Sequence, residues 1–181
     1  MAEFITELLP IVRDVMKQLQ QEFRGSLQDQ GHYLTGKLSK SIDYDIESGA
    51  NAVTAKMYID DYGLSVEFGV KAGNIPYGGG GKGGTSKYIQ GLIKFWELRG
   101  LSGRNAVGAA FATAKKHKRE GMPTRASSKY SSTGKRTGFI QAALEKEIPV
   151  ITKEIENKFG AILELKFKDA FQGFENIKIG Q

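Results

Sequence analysis

Residues 42–59 read IDYDIESGANAVTAKMYI, and the order of apolar and polar side chains along them decides the class of fold. Ile42, Tyr44 and Ile46 alternate with Asp43, Asp45 and Glu47. After Ser48-Gly49-Ala50-Asn51, Val53, Ala55, Met57 and Ile59 alternate with Thr54, Lys56 and Tyr58. Successive side chains of a strand point to opposite faces, so this alternation predicts an antiparallel hairpin with one face on a core.

Upstream the period changes. Phe4, Leu8, Ile11, Val15, Leu19 and Phe23 recur at steps of three and four, which predicts an amphipathic helix. Pro10 either kinks that helix or sits in its first turn. Gly25 is the expected stop. Thr35 is a candidate N-cap for a short turn carrying Leu38 and Ile42. Downstream, residues 60–63 turn and residues 64–68 are expected to form a third strand.

A long C-terminal helix is expected from about Thr137, with Ile140, Ala143 and Leu144 apolar, divided at Pro149. Its second part carries Ile151, Ile155 and Phe159 and should stop at Gly160. Leu163, Leu165 and Phe167 alternate with Glu164, Lys166 and Lys168, so residues 161–181 read as an extension containing a strand. Residues 88–98 place Ile89, Leu92, Ile93 and Trp96 on one helical face. Residues 105–119 do the same with Val107, Ala110, Phe111 and Ala114, and the joint at 100–103 is short enough for a helical hairpin. The expectation is one α+β domain over residues 1–181. A small antiparallel sheet is packed by an N-terminal and a long C-terminal helix. Residues 70–136 are inserted, with a helical hairpin and two long flexible loops, one glycine-rich at 74–86 and one basic at 120–136.

Composition narrows the chemistry. The 181 residues contain no cysteine, which excludes disulfides, cysteine zinc sites and thiol catalysis. The start lacks a basic segment followed by an apolar one, and no run approaches the ~18 apolar residues of a membrane span, so a soluble protein is expected. The net charge of +6 is uneven. Residues 115–136 hold eight of the 26 Lys and Arg but one of the 20 Asp and Glu. The basic character belongs to one segment of an otherwise neutral chain, as a contact surface would have it.

Catalytic and cofactor patterns are weak. Gly78, Gly80 and Gly83 have dinucleotide-fingerprint spacing but lack the strand, helix and acidic residue that the fingerprint needs, and Lys82 is followed by Gly83 where a P-loop has Ser or Thr. His32 and His117 have no ligand neighbour at metal-site spacing. Glu67 could be an acid–base group, although a strand-end carboxylate is the plainer reading. The basic segment has two functional readings, contact with phosphates or docking on an acidic protein surface, beside that of a solvated loop. Its candidate residues are Lys115, Lys116, Lys118, Arg119, Arg125, Lys135 and Arg136. Tyr130 is the only aromatic side chain there, so base stacking has little support and any nucleic-acid contact would be sequence-blind.

Three short segments look like joints between elements: residues 35–42, 66–69 and 137–144. Together they resemble the small tail-component family of long-tailed bacteriophages, the neck or tail-completion proteins of head–tail joining. Thr35, Gly36, Leu38, Ser41 and Ile42 fit that family's Thr-Gly-x-Leu-x-x-Ser-Ile segment. Val66, Glu67, Phe68 and Gly69 fit its Val-Glu-aromatic-Gly turn. Phe139, Ile140, Ala142, Ala143 and Leu144 look like the opening of its last helix, with Thr137-Gly138 in place of the usual proline. The insertion at 70–136 is long for the family.

The resemblance implies a non-enzymatic virion protein with no cofactor, made in the host bacterial cytoplasm. It would form part of a ring at the head–tail junction, with copies of itself, head-completion or connector proteins, and tail terminator or tail-tube proteins as partners. Contact with DNA in the channel is compatible with that role, and no membrane is implied. The alternative class is a stand-alone basic protein that binds nucleic acid without sequence preference.

Overall fold

The computed structural model describes residues 2–50, 52–77 and 86–175. Helix α1 (Ala2–Asp29) is followed by the short α2 (Lys37–Ser41), strands β1 (Asp43–Ser48) and β2 (Val53–Tyr58), and helix α3 (Tyr62–Phe68). Helices α4 (Lys87–Glu97) and α5 (Gly103–Glu120) form the inserted pair, and α6 (Phe139–Glu175) closes the chain. The fold is α+β, with one two-stranded antiparallel sheet between helices.

The hairpin has the expected faces. Tyr44 pairs with Met57 and Ile46 with Ala55, while Asp45 sits opposite Lys56 on the solvent side. Both strands pack on α1. Helices α1 and α6 run antiparallel, and their flanking charges follow that order. Lys146 meets Glu22 at 2.6 Å, Lys158 meets Asp14 at 3.3 Å, and Lys166 meets Glu7 at 3.0 Å.

The three joint-like segments converge on one core. Leu38 and Ile42 come from the first, Val66 from the second, Phe139 and Ala143 from the third, and they pack with Phe23 and Leu27 of α1. The polar groups at this junction are taken up locally. Arg24 donates from Nε to the Ser39 carbonyl at 3.0 Å and from Nη2 to the Ile42 carbonyl at 2.8 Å, placing a cation where α2 ends and its carbonyls point outward. Ser41 Oγ donates to the Leu38 carbonyl and accepts from the Asp60 amide. Thr35 Oγ1 accepts from the Lys37 amide at 3.3 Å, but the N-cap of α2 is Gly36, left-handed at φ 63°.

Four expectations are corrected. Residues 64–68 are helical. Leu64, Val66 and Phe68 alternate like a strand, yet the period that buries them is helical: Gly63, Val66 and Glu67 turn inward, and Leu64 and Phe68 turn out. A side chain at Gly63 would meet Ile59 Cδ1 at 2.5 Å, a packing signal that alternation alone does not carry. Gly25 does not stop α1. The stop is a Schellman motif, with His32 donating to the Leu27 carbonyl at 2.9 Å, Gly31 donating to Gln28 at 2.8 Å, and Gly31 left-handed at φ 76°. Neither Pro149 nor Gly160 interrupts α6. Leu163, Leu165 and Phe167 therefore lie in α6, because a lone strand there would have no pairing partner whereas the helix keeps its contact with α1. The residue 74–86 loop falls mostly outside the described residues.

Candidate functional site: a basic cleft beside the inserted helices

The insertion builds its own small lobe. Ala106, Ala110 and Ala114 of α5 are fully buried, which lets α4 approach closely, and the Trp96 indole N–H donates to Thr113 Oγ1 at 3.0 Å across the pair. The two ends of the lobe are tied together where it leaves the body. Val70 and Met122 exchange backbone hydrogen bonds of 2.7 and 2.8 Å. Gly69 (φ +70°) and Gly121 (φ +85°) flank this crossing. A Cβ at either would lie 2.6 Å from the Met122 carbonyl oxygen or 2.7 Å from that of Val70, so only glycine fits.

Glu67 supplies the body's side of that joint. It is 7% exposed, and its carboxylate accepts from the Ile140 amide at 2.8 Å and from Gln141 at 3.2 Å. These are free N–H groups in the first turn of α6, so Glu67 caps that helix from another element, where its charge also meets the positive end of the helix dipole. Glu67 is thus neither a strand-end carboxylate nor an open acid–base group. Phe139, fully buried beside it, fixes the start of α6 in the core.

Between lobe and body lies a cleft of about 490 Å³. The body contributes His32, Tyr62 and Val66. Helix α4 contributes Leu92, Phe95 and Trp96, the turn that follows it contributes Arg99, and α5 contributes Lys116 and His117. The irregular connection from Met122 onward adds Pro123, Lys129, Tyr130 and Arg136. That connection is tied down over the end of α1: Ser132 donates from its amide and its hydroxyl to the Asp29 carbonyl, at 2.8 and 3.0 Å.

The electrostatics of the cleft are one-sided. Four cations line it, Arg99, Lys116, Lys129 and Arg136, and no carboxylate does. Arg99 stacks over Phe95 at 4.4 Å and lies 5.5 Å from the Tyr130 ring centre, with Lys129 5.1 Å from the same ring. The Arg136 Nε is buried with no hydrogen-bond partner. Burial, with the nearby Arg99 charge, holds the Arg136 guanidinium below its usual range. His32 and His117 are held below the ordinary histidine value, in both cases chiefly by burial. His32 shares a hydrogen bond with the Arg136 carbonyl at 3.1 Å, and His117 Nδ1 one with the Tyr88 hydroxyl at 2.7 Å.

The candidate basic residues do not form one loop. Lys115, Lys116, Lys118 and Arg119 are on α5, and Arg125 begins a 3₁₀ turn (Arg125–Tyr130). Lys116 and Arg136 reach the cleft. Lys118 donates to the Gly73 and Ile75 carbonyls, and Arg119 pairs with Glu120 at 2.7 Å. Lys115, Arg125 and Lys135 are exposed outside it. Arg99, Lys129, Trp96 and the two histidines were missed as a group. Their sequence signal is faint: an arginine three residues after an aromatic pair, just past the end of a helix.

A second surface is apolar. Phe68 is 79% exposed and borders a shallow hollow of about 470 Å³ with Leu144, Ile148 and Pro149. Ile148, Ile155, Leu163 and Phe167 continue exposed along α6. At 100° per residue these four spread over about 120° of the helix; Val150 and Leu165, also exposed, lie on other sides, while Ala143, Glu147 and Ile151 are buried.

Among the described residues no cluster of His, Asp and Glu could hold a metal ion, and no helix is long and apolar enough to cross a membrane. Comparison with protein-family models, curated proteins and solved structures returns no match.

Proposed function

We propose that this chain is a non-enzymatic assembly protein of a tailed bacteriophage, one subunit of a ring in the virion neck that joins the DNA-filled head to the tail. The reading is carried by the apolar band running from Phe68 along α6, exposed in the single chain and too extensive to be scattered surface leucines. A helix that is apolar on its inner and its outer side is built to be covered twice, once by its own fold and once by a neighbour. The family-like segments support the same reading, since each delivers residues to one core and together they set the start of α6. Copies of the chain meeting through a repeated heterologous contact close into a ring. The ring's other neighbours are head-completion or connector proteins on one side and tail terminator or tail-tube proteins on the other.

The test is assembly. Ring formation, alone or with adjacent components, should be visible by electron microscopy and sedimentation and should be lost in Ile148→Glu/Ile155→Glu. Particles with normally joined heads and tails carrying that variant would sink the reading. The exposed Lys115, Arg125 and Lys135 favour a second reading, sequence-blind nucleic-acid binding by the chain alone. An electrophoretic shift of DNA at micromolar protein, in the absence of any ring, supports that alternative.

A further inference from the structure

We propose that the basic cleft is a docking site for an extended acidic segment of a partner protein, whose carboxylates meet Arg99 and Arg136. The inference rests on the assembly reading, which supplies such a partner as a neighbouring virion component, and it names the chemistry of that partner.

Charge complementarity is the first argument. Four cations line the cleft with no carboxylate among the described lining residues, and the neighbouring Glu67, Glu97 and Glu120 are engaged by amides of α6, by Lys94 and by Arg119. A buried donor without a partner is costly, so the unpaired Arg136 Nε marks a position where an acceptor is missing from the free chain.

Geometry selects the kind of anion. Arg99 already covers one face of Phe95 and approaches Tyr130, so on that side of each ring the guanidinium holds the stacking position a nucleic-acid base would take. A stacked guanidinium keeps its N–H edge free, and that fork matches a carboxylate bidentately. Arg136 is half-buried where it lines the cleft, a depth that a slender side chain enters and a duplex backbone does not. Leu92, Met122 and Pro123 give apolar wall for the residues between the acids. Length argues for a chain in preference to a small ion. A second hollow of about 590 Å³ shares Arg99, Lys129 and Tyr130 with the cleft, so the two adjoin at the stacked arginine.

Trp96 is the only tryptophan of the protein and lines the cleft, so it reports occupancy directly. The experiment titrates the full chain with a blocked decapeptide of alternating Asp and Leu, following Trp96 emission. The controls are an Asn–Leu peptide, pyrophosphate, a single-stranded oligonucleotide and a DNA duplex. The acidic peptide should give a saturable emission change that the Asn–Leu peptide does not. Affinity should fall tenfold or more in Arg99→Gln and in Arg136→Gln, less in Arg136→Lys, and not at all in Lys115→Gln, with unfolding midpoints checked for each variant.

Tighter binding of pyrophosphate or of either oligonucleotide at Trp96 overturns the assignment, as does no response to the peptide at millimolar concentration. Self-association of the chain that buries Trp96 and is lost in Arg99→Gln also overturns it, in favour of a second copy as the occupant. The two readings fail separately. If the peptide does not bind but Ile148→Glu/Ile155→Glu abolishes rings, the cleft assignment falls and the assembly reading stands. If the peptide binds and that variant assembles normally, the reverse holds.

Discussion

The core junction and the cleft lie on either side of α3, and they treat charge in opposite ways. At the junction each ionised group has a structural partner: Glu67 is consumed by two amides of α6, and Arg24 by two carbonyls at the end of α2. In the cleft four cations face one another with no carboxylate, and one guanidinium nitrogen is buried unpaired. Folding explains the first arrangement fully and the second not at all. The difference teaches where to look for function, since a group that the fold does not use is retained for something outside the fold.

The contrast is broken most directly at the junction. Phe139→Ala removes a ring that is fully buried where all three joint-like segments meet, and should cost about 3–5 kcal/mol by urea unfolding. A cost below about 1 kcal/mol would mean that this is not the centre of the core. Glu67→Ala should come next, at about 1.5–3 kcal/mol, because it strips two charge-assisted hydrogen bonds from a largely dry helix start. Hydrogen exchange at Ile140 and Gln141 should rise in that variant more than exchange in the middle of α6.

The tie where the lobe leaves the body follows. Gly69→Ala demands φ +70° with ψ −178° of a residue with a side chain, and drives its Cβ against the Met122 carbonyl. It should cost about 1–3 kcal/mol and loosen the lobe, so Trp96 quenching by acrylamide should increase. In the cleft the sign should change. Arg136→Met removes an unpaired, half-buried charge and keeps the backbone carbonyl that His32 uses. Stability should stay within about 1 kcal/mol of wild type, on either side. A loss as large as that of Glu67→Ala would show Arg136 to be structural and would erase the contrast.

The sequence made the hairpin legible because its two-residue alternation coincides with the real register, and it made α1 and α4 legible because their apolar stripes match the helical period; α5 was legible as a helix, but of its expected inward face Ala110 and Ala114 are buried while Val107 and Phe111 are exposed. It misled at residues 64–68 and at Leu163, Leu165 and Phe167. In both places alternation was real, but every alternating residue except Val66 is exposed on a helix, and exposed apolar residues carry no information about inward faces. The segments holding Glu67 and Phe139 were visible as a pair of joints, but not that one caps the other, because 73 residues separate Glu67 from Ile140. The cleft was half legible. Charge counting found Lys116 and Arg136, while Arg99 was invisible to it because that residue enters from the turn after α4 through folding alone.

The smallest effect isolates the cleft with the protein otherwise untouched. The chain has two histidines, and both line the cleft, so between pH 7.5 and 5.5 histidine titration reports on this region and not on the core. Burial lowers both from the ordinary value of 6.5. For such a group the unfolded chain binds the proton first. As pH falls through 6.5 the unfolded state gains protons that the folded state does not, and stability drops until the folded pKa is passed; above 6.5 it is constant. The thermal midpoint should therefore fall on acidification across this window, by ~2–4 °C for each ~1 kcal/mol lost. His32→Gln/His117→Gln should flatten the profile. A saturating acidic peptide should reduce the slope in wild type, since carboxylates beside the imidazoles raise their folded pKa toward the unfolded value. A midpoint that rises on acidification in the free protein would mean that the histidines already have anionic partners, and that the cleft is as self-sufficient as the core.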